Sequence, residues 1–258
     1  MLNSKYVNAR TLIRAKGGFP VAPAAVDAAT REGIQILCEA RALAYNLLRG
    51  AFIHEPSWEF LELLTRQEIL SFLAFAADDP DIKKGVELVT GYLARYEAMP
   101  GEGREEELAG LRSDYTRLFI GPERLPAPPW ESAYVNDERL LFQEVTLKVR
   151  RIYLSYNFLP RNYRREADDH IGLELEFMFR LSAMAAERLD AGDLTGAARI
   201  LRDQEEFLDG HLLPWVPPFA GDVMANAATD FYRGMGSLLK GFVELDRRAV
   251  AEMLKALA

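Results

Sequence analysis

One periodicity limits this chain more than any other feature. Phe231, Met235, Leu238, Phe242 and Leu245 follow one another at steps of four, three, four and three, the spacing that places side chains on one face of an α-helix. The same rhythm recurs upstream. Over residues 31–49, Ile34, Leu37, Cys38, Tyr45 and Leu48 make one apolar stripe, and Ile36, Ala40, Leu43 and Leu47 make a second beside it. Two adjoining stripes predict a helix with a wide buried face, stopping at Gly50. Glu55, Pro56 and Ser57 open a short helix through Leu64, because proline is tolerated in a first turn. Further helices are predicted over residues 67–76, 82–97 and 105–119. No segment shows the sustained period-two alternation, rich in β-branched residues, of a half-buried strand. The fold expected is all-α, a single-domain bundle of roughly ten helices.

Two stretches break the pattern. Residues 121–132 contain Pro122, Pro126, Pro128 and Pro129; each lacks an amide donor and restricts its predecessor, so this is a loop. Residues 159–169 form a charged link between two helices, a candidate hinge within a helical domain spanning 30–258. Residues 1–29, with Ala, Gly and Pro near their end, read as an extension.

Composition removes several function classes. The chain has 258 residues, 49% hydrophobic and 27% charged, ordinary values for a soluble globular protein. No run approaches the roughly 18 to 20 uncharged apolar residues of a membrane span, so no membrane insertion is expected. The N-terminus has basic residues but no apolar core, which predicts neither secretory signal nor anchor. One cysteine, Cys38, excludes a disulfide framework, and cytoplasmic residence is expected. A net charge of -8 argues against nucleic acid as a partner and suits a basic peptide.

Candidate catalytic groups are sparse. His170 lies four residues before Glu174, on one helix face, with Asp168 and Asp169 adjacent. A metal site needs three or four converging ligands, and no second pair at ligand spacing is visible. The simpler expectation is that Asp168 and Asp169 cap the following helix. No nucleophile elbow, phosphate loop or dinucleotide fingerprint is present. Trp130, after Pro128 and Pro129 and before Glu131 and Ser132, stands on a constrained loop where an aromatic loses little entropy when something packs on it. The plain alternative is a tryptophan plugging a helix seam. Leu118, Phe119 and Tyr115 end an amphipathic helix and read equally well as core, while Phe177, Met178 and Leu181 read as packing.

The stretch Asp114-Tyr115-Thr116-Arg117-Leu118-Phe119-Ile120-Gly121-Pro122, followed by Ala127-Pro128-Pro129-Trp130-Glu131-Ser132 and Tyr134, resembles the signature of the TorD/DmsD family. These are redox enzyme maturation, or Tat proofreading, chaperones of the nitrate reductase delta subunit-like superfamily. Asp168-Asp169-His170-Ile171-Gly172-Leu173-Glu174-Leu175-Glu176-Phe177-Met178 resembles its second signature, departing at Ala167, where the family pattern has proline. The resemblance implies a non-enzymatic chaperone. Its partners would be the twin-arginine signal peptide and the apo-form of a molybdopterin oxidoreductase, held until cofactor insertion and export. It implies a monomer or a helix-swapped dimer. Weak binding of guanine nucleotide or molybdopterin guanine dinucleotide also falls within it, at no locatable position. By resemblance, Tyr115, Leu118, Phe119, Pro129, Trp130, Asp169 and His170 would line the peptide groove, supported by Glu131, Ser132, Asp168 and Glu174.

The chemistry agrees with that ligand. Paired guanidinium groups seek carboxylates beside an apolar trough; Asp168, Asp169, Glu131 and Glu174 would offer the first, and Leu118, Phe119, Pro129 and Trp130 the second. His170, beside two carboxylates, is expected to titrate near neutrality and make peptide affinity pH-sensitive. Two other readings stay open: an assembly chaperone for a non-exported molybdoenzyme, of the nitrate reductase type, and a metal- or nucleotide-dependent hydrolase using Asp168, Asp169, His170 and Glu174.

Overall fold

A computed structural model describes residues 26–66, 70, 78–122, 124–135, 144–159 and 166–258. The extension through residue 25, nearly all of the helix expected over 67–76, and residues 160–165 of the expected hinge lie outside the described residues. The described chain is helical, as the periodicity predicts, and among its residues no helix is long and apolar enough to cross a membrane.

In chain order the helices are α1 (Ala28–Ile53), α2 (Trp58–Arg66), α3 (Pro80–Ala98), α4 (Gly101–Tyr115), α5 (Ser132–Val135), α6 (Glu144–Ser155), α7 (Ile171–Asp190), α8 (Leu194–Phe207), α9 (Leu213–Asn226) and α10 (Asp230–Ala256). α1 starts where Asp27 accepts a hydrogen bond from the Thr30 amide at 2.7 Å, an N-cap, and it runs past Gly50 to Ile53. Gly50 is therefore inside the helix, and Leu37, assigned above to a buried stripe, is exposed.

α1 and α7 form the most extensive pair in the bundle. Ile34, Cys38, Arg41, Tyr45, Leu48 and Phe52 on α1, and Ile171, Leu175, Met178, Ser182, Ala185 and Leu189 on α7, are all buried at alternating steps of four and three. α8 packs on α7 and α10, and α10 also carries α3 and α9. In α10, Phe231, Met235, Leu238 and Phe242 are buried as expected; Leu245 sits at the edge, and the stripe continues instead through Asp246, Val250 and Met253. A β-carbon on Gly85 would lie 2.7 Å from the Leu238 amide nitrogen and 2.8 Å from the Gly234 carbonyl. Glycine at this crossing lets α3 and α10 meet backbone to backbone.

One buried polar network ties four helices together. Arg41 of α1 makes a two-point ion pair with Asp246 of α10, which also accepts from Tyr45 Oη at 2.6 Å. The guanidinium continues to Gln204 of α8 at 2.9 Å, and Gln204 donates to Ser182 Oγ of α7 at 2.9 Å. Each buried polar group thus meets a partner, the condition for such a cluster inside an apolar core.

Two π-turns interrupt the helices. α4 loosens over Thr116–Ile120 and closes when the Gly121 amide reaches the Thr116 carbonyl at 2.9 Å, with Gly121 at φ 96°, a region that favours glycine. α8 passes through a second over Leu208–Leu212 before Pro214 enters the first turn of α9. Proline cannot donate to the carbonyl four residues back and crowds it, so a widened turn before Pro214 relieves a regular helix.

Candidate functional site

The proline-rich loop docks on the start of α7. Trp130 and His170 form an isolated antiparallel bridge: Ile171 N donates to the Pro129 carbonyl at 2.8 Å, and Glu131 N donates to the Asp169 carbonyl at 2.9 Å. Pro129 needs no amide here, because its carbonyl supplies the bond. The loop is closed on its other side by Ala127 N reaching the Leu118 carbonyl at 3.4 Å.

Side chains fasten the same junction. Asp169 Oδ2 accepts from Ser132 N at 2.9 Å, at the first turn of α5. Trp130 Nε1 donates to Glu166 Oε1 at 2.8 Å, and its ring meets the His170 ring edge-on at 5.9 Å. Trp130 is partly exposed. His170, not the aspartates, caps α7: its Nδ1 accepts from Gly172 N at 3.0 Å. An accepting Nδ1 belongs to the neutral ring, and burial pushes the imidazole down to about 4. The near-neutral titration expected for His170 is therefore overturned, because desolvation outweighs the attraction of Asp169.

The carboxylates face inward. Asp169 and Glu174 are 0% exposed, Glu131 1% and Asp168 2%. Asp168 pairs with Arg150 of α6, while Tyr153 Oη donates to its backbone carbonyl at 3.0 Å. Glu131 Oε2 lies 3.0 Å from His211 Nδ1, which the π-turn before α9 carries into the core. Glu174 Oε2 accepts from Trp215 Nε1 at 3.1 Å. Burial raises both Glu131 and Glu174, Glu174 well above the usual carboxylate range because Glu131 and Asp169 stand beside it.

Pro129, Trp130, Glu131, Ser132, Asp168, Asp169, His170 and Glu174 thus meet at one junction. Tyr115, Leu118 and Phe119 do not join its polar face; they lie in the adjoining aromatic core. Phe119 packs on Tyr115 at 5.3 Å, Tyr232 at 5.5 Å and Phe52 at 5.8 Å between ring centroids. Asp114, at the head of the first motif, accepts from the Ala228 and Thr229 amides and the Thr229 hydroxyl, anchoring the start of α10. Asp168, Asp169, His170 and Glu174 each turn to a different partner. Among the described residues, no group of three or more His, Cys, Asp or Glu is disposed to hold a metal ion. Sequence reasoning missed Arg150, Tyr153, Glu166, His211 and Trp215 as members of the junction. The one available signal was Pro214, which marks the helix irregularity that aims His211.

Residues 79–221 match the family described as the nitrate reductase delta subunit, more than half of the chain. The chain belongs to that family. The matched span contains both motifs and the His211–Trp215 turn, so the whole junction lies inside the delta subunit match. Similar proteins include "Chaperone protein TorD" of Aliivibrio salmonicida, 27% identical over 213 residues that cover 83% of this chain and 95% of that protein. Its counterpart in Vibrio cholerae serotype O1 is 26% identical over 222 residues, 86% and 97% of the two chains. That of Photobacterium profundum is 27% identical over 208 residues, 81% and 93%.

Proposed function

We propose that this delta-subunit family member is a cytoplasmic maturation chaperone that binds the twin-arginine signal peptide, and the apoenzyme, of a molybdopterin oxidoreductase. The observation that carries the reading is the junction itself. Two motifs some forty residues apart are locked side by side by backbone and side-chain bonds, with Trp130 at the outer edge beside Glu166. Similarity to proteins named Chaperone protein TorD along most of their length supports a chaperone role. Trp130 is the aromatic contact for the peptide in this reading. Pro129, Glu131, Ser132, Asp168, Asp169, His170 and Glu174 shape its bed, and Tyr115, Leu118 and Phe119 brace the loop from the core. The net charge of -8 draws the basic peptide by long-range attraction.

The test is calorimetric titration with the signal peptide of a molybdoenzyme encoded near this chain's gene. Binding in the micromolar range or tighter is expected. It should weaken about tenfold in Trp130→Ala, as for a central aromatic anchor, and also when the peptide's two arginines become lysines. The family match favours a second reading, assembly of a non-exported nitrate reductase-type enzyme; folded apoenzyme binding without peptide binding would select it.

A further inference from the structure

Glu131 and Glu174 stand beside each other deep in the core. Two carboxylates cannot bond to each other unless one carries a proton. No donor faces Glu174 Oε1 among the described residues, while its other oxygen takes the Trp215 indole. A proton on Glu174, donated to Glu131, completes the arrangement, and Glu131 then meets His211 on its far side. The pair fastens the loop to the bundle: Glu131 is flanked by Trp130 and Ser132, and its own amide is held by Asp169.

We infer that the Glu131–Glu174 pair, sharing one proton and closed by His211, is a latch that holds the Trp130 loop on α7, with Glu174 and His211 as positioning residues for the proposed peptide site. Only its consequence for peptide binding rests on the proposed function.

Charged and titratable groups surround the latch on each side. α7 and the segment before it contribute Asp168, Asp169 and His170; α6 contributes Arg150 and Tyr153; the second π-turn contributes His211. Arg150 is engaged with Asp168, and His170 is held neutral as a cap. Tyr153 is pushed well above its ordinary range by burial, and then by Glu174, Asp168, Asp169 and Glu131, so it stays protonated and supplies no charge. Asp169 Oδ1 has no partner among the described residues and adds repulsion. Loss of the shared proton therefore leaves adjacent buried carboxylates facing mainly His211. The strain falls on the junction's few hydrogen bonds, because α7 is secured elsewhere by α1 and α8.

Hydrogen exchange followed by mass spectrometry, with protection corrected for the intrinsic pH dependence of exchange, reads the latch directly. In the wild-type chain, protection of the amides of residues 131–133 and 170–172 should fall about tenfold between pH 6.5 and 9, while α10 keeps its protection. Glu174→Gln replaces the shared proton with a permanent amide donor and should abolish the fall. His211→Gln should loosen the segment across the whole range. Wild-type protection that does not change with pH, or an unchanged fall in Glu174→Gln, overturns the latch. Signal-peptide titration at the same pH values separates the two proposals: a pH-dependent latch without peptide binding sinks only the proposed function.

Discussion

His170 shows how far burial can reverse a residue's chemistry. Beside Asp168 and Asp169 it reads as an imidazole ready to take a proton; inside the junction it is a neutral cap at about 4. Between that value and the unfolded value of about 6.5, the unfolded chain binds a proton that the folded chain refuses. Stability supplied by His170 is thus fully present above the unfolded value and lost as pH falls toward the folded one, by about 3 kcal/mol in total. Glu131 and Glu174, raised on folding, act with the opposite sign. The comparison must therefore be between variants: His170→Asn keeps an oxygen cap for Gly172 N and should flatten this part of the urea-denaturation profile from pH 6.5 to 4.5. An identical profile in the variant would refute the assignment.

The helix crossings show that one substitution can have two signs. Gly85→Ala drives a methyl group into the Leu238 amide and the Gly234 carbonyl of α10. Neither can move without shifting a helix, so a loss of about 1–3 kcal/mol is expected. Gly110, in α4, has nothing within 4 Å of its added β-carbon, and Gly110→Ala should stabilise by about 0.5–1 kcal/mol through helix propensity. Thermal unfolding of both variants checks the contrast; a shift in the same direction for both would show that the α3–α10 approach is not tight in solution. Where the elements begin and end follows the same logic. Periodicity over residues 82–97 locates α3, observed at Pro80–Ala98, because a helix with one buried face advertises itself. The π-turn at Thr116–Ile120 was not legible, and the one at Leu208–Leu212 was marked only by the proline that follows it, Pro214.

Across the whole molecule, the Arg41–Asp246 pair links the first described helix to the last. Arg41→Met leaves Asp246 buried with only Tyr45 for company, a loss expected at about 3–5 kcal/mol. Replacing both partners, Arg41→Met with Asp246→Leu, should recover most of it, because the cost lies in the stranded charge and not in the missing attraction. Denaturant midpoints of the single and double variants decide the matter; a single variant within about 1 kcal/mol of wild type would mean that water reaches the pair. Asp246 stands where the α10 stripe turns polar, and nothing in its own neighbourhood of sequence pairs it with Arg41, some two hundred residues away.

The sequence by itself determined the helical class, the main apolar faces and the two motifs that meet at the junction. These are properties of spacing, and spacing along a chain is what the sequence records. Tertiary structure alone decided which polar residues face inward. Asp168, Asp169, Glu131 and Glu174 read as a surface offering to guanidinium groups, and the fold turns all four into the core, each toward a partner from another element. Burial and the company of distant side chains, His211 and Trp215 above all, set their protonation. Neither is local, so no reading of neighbours along the chain could have supplied it.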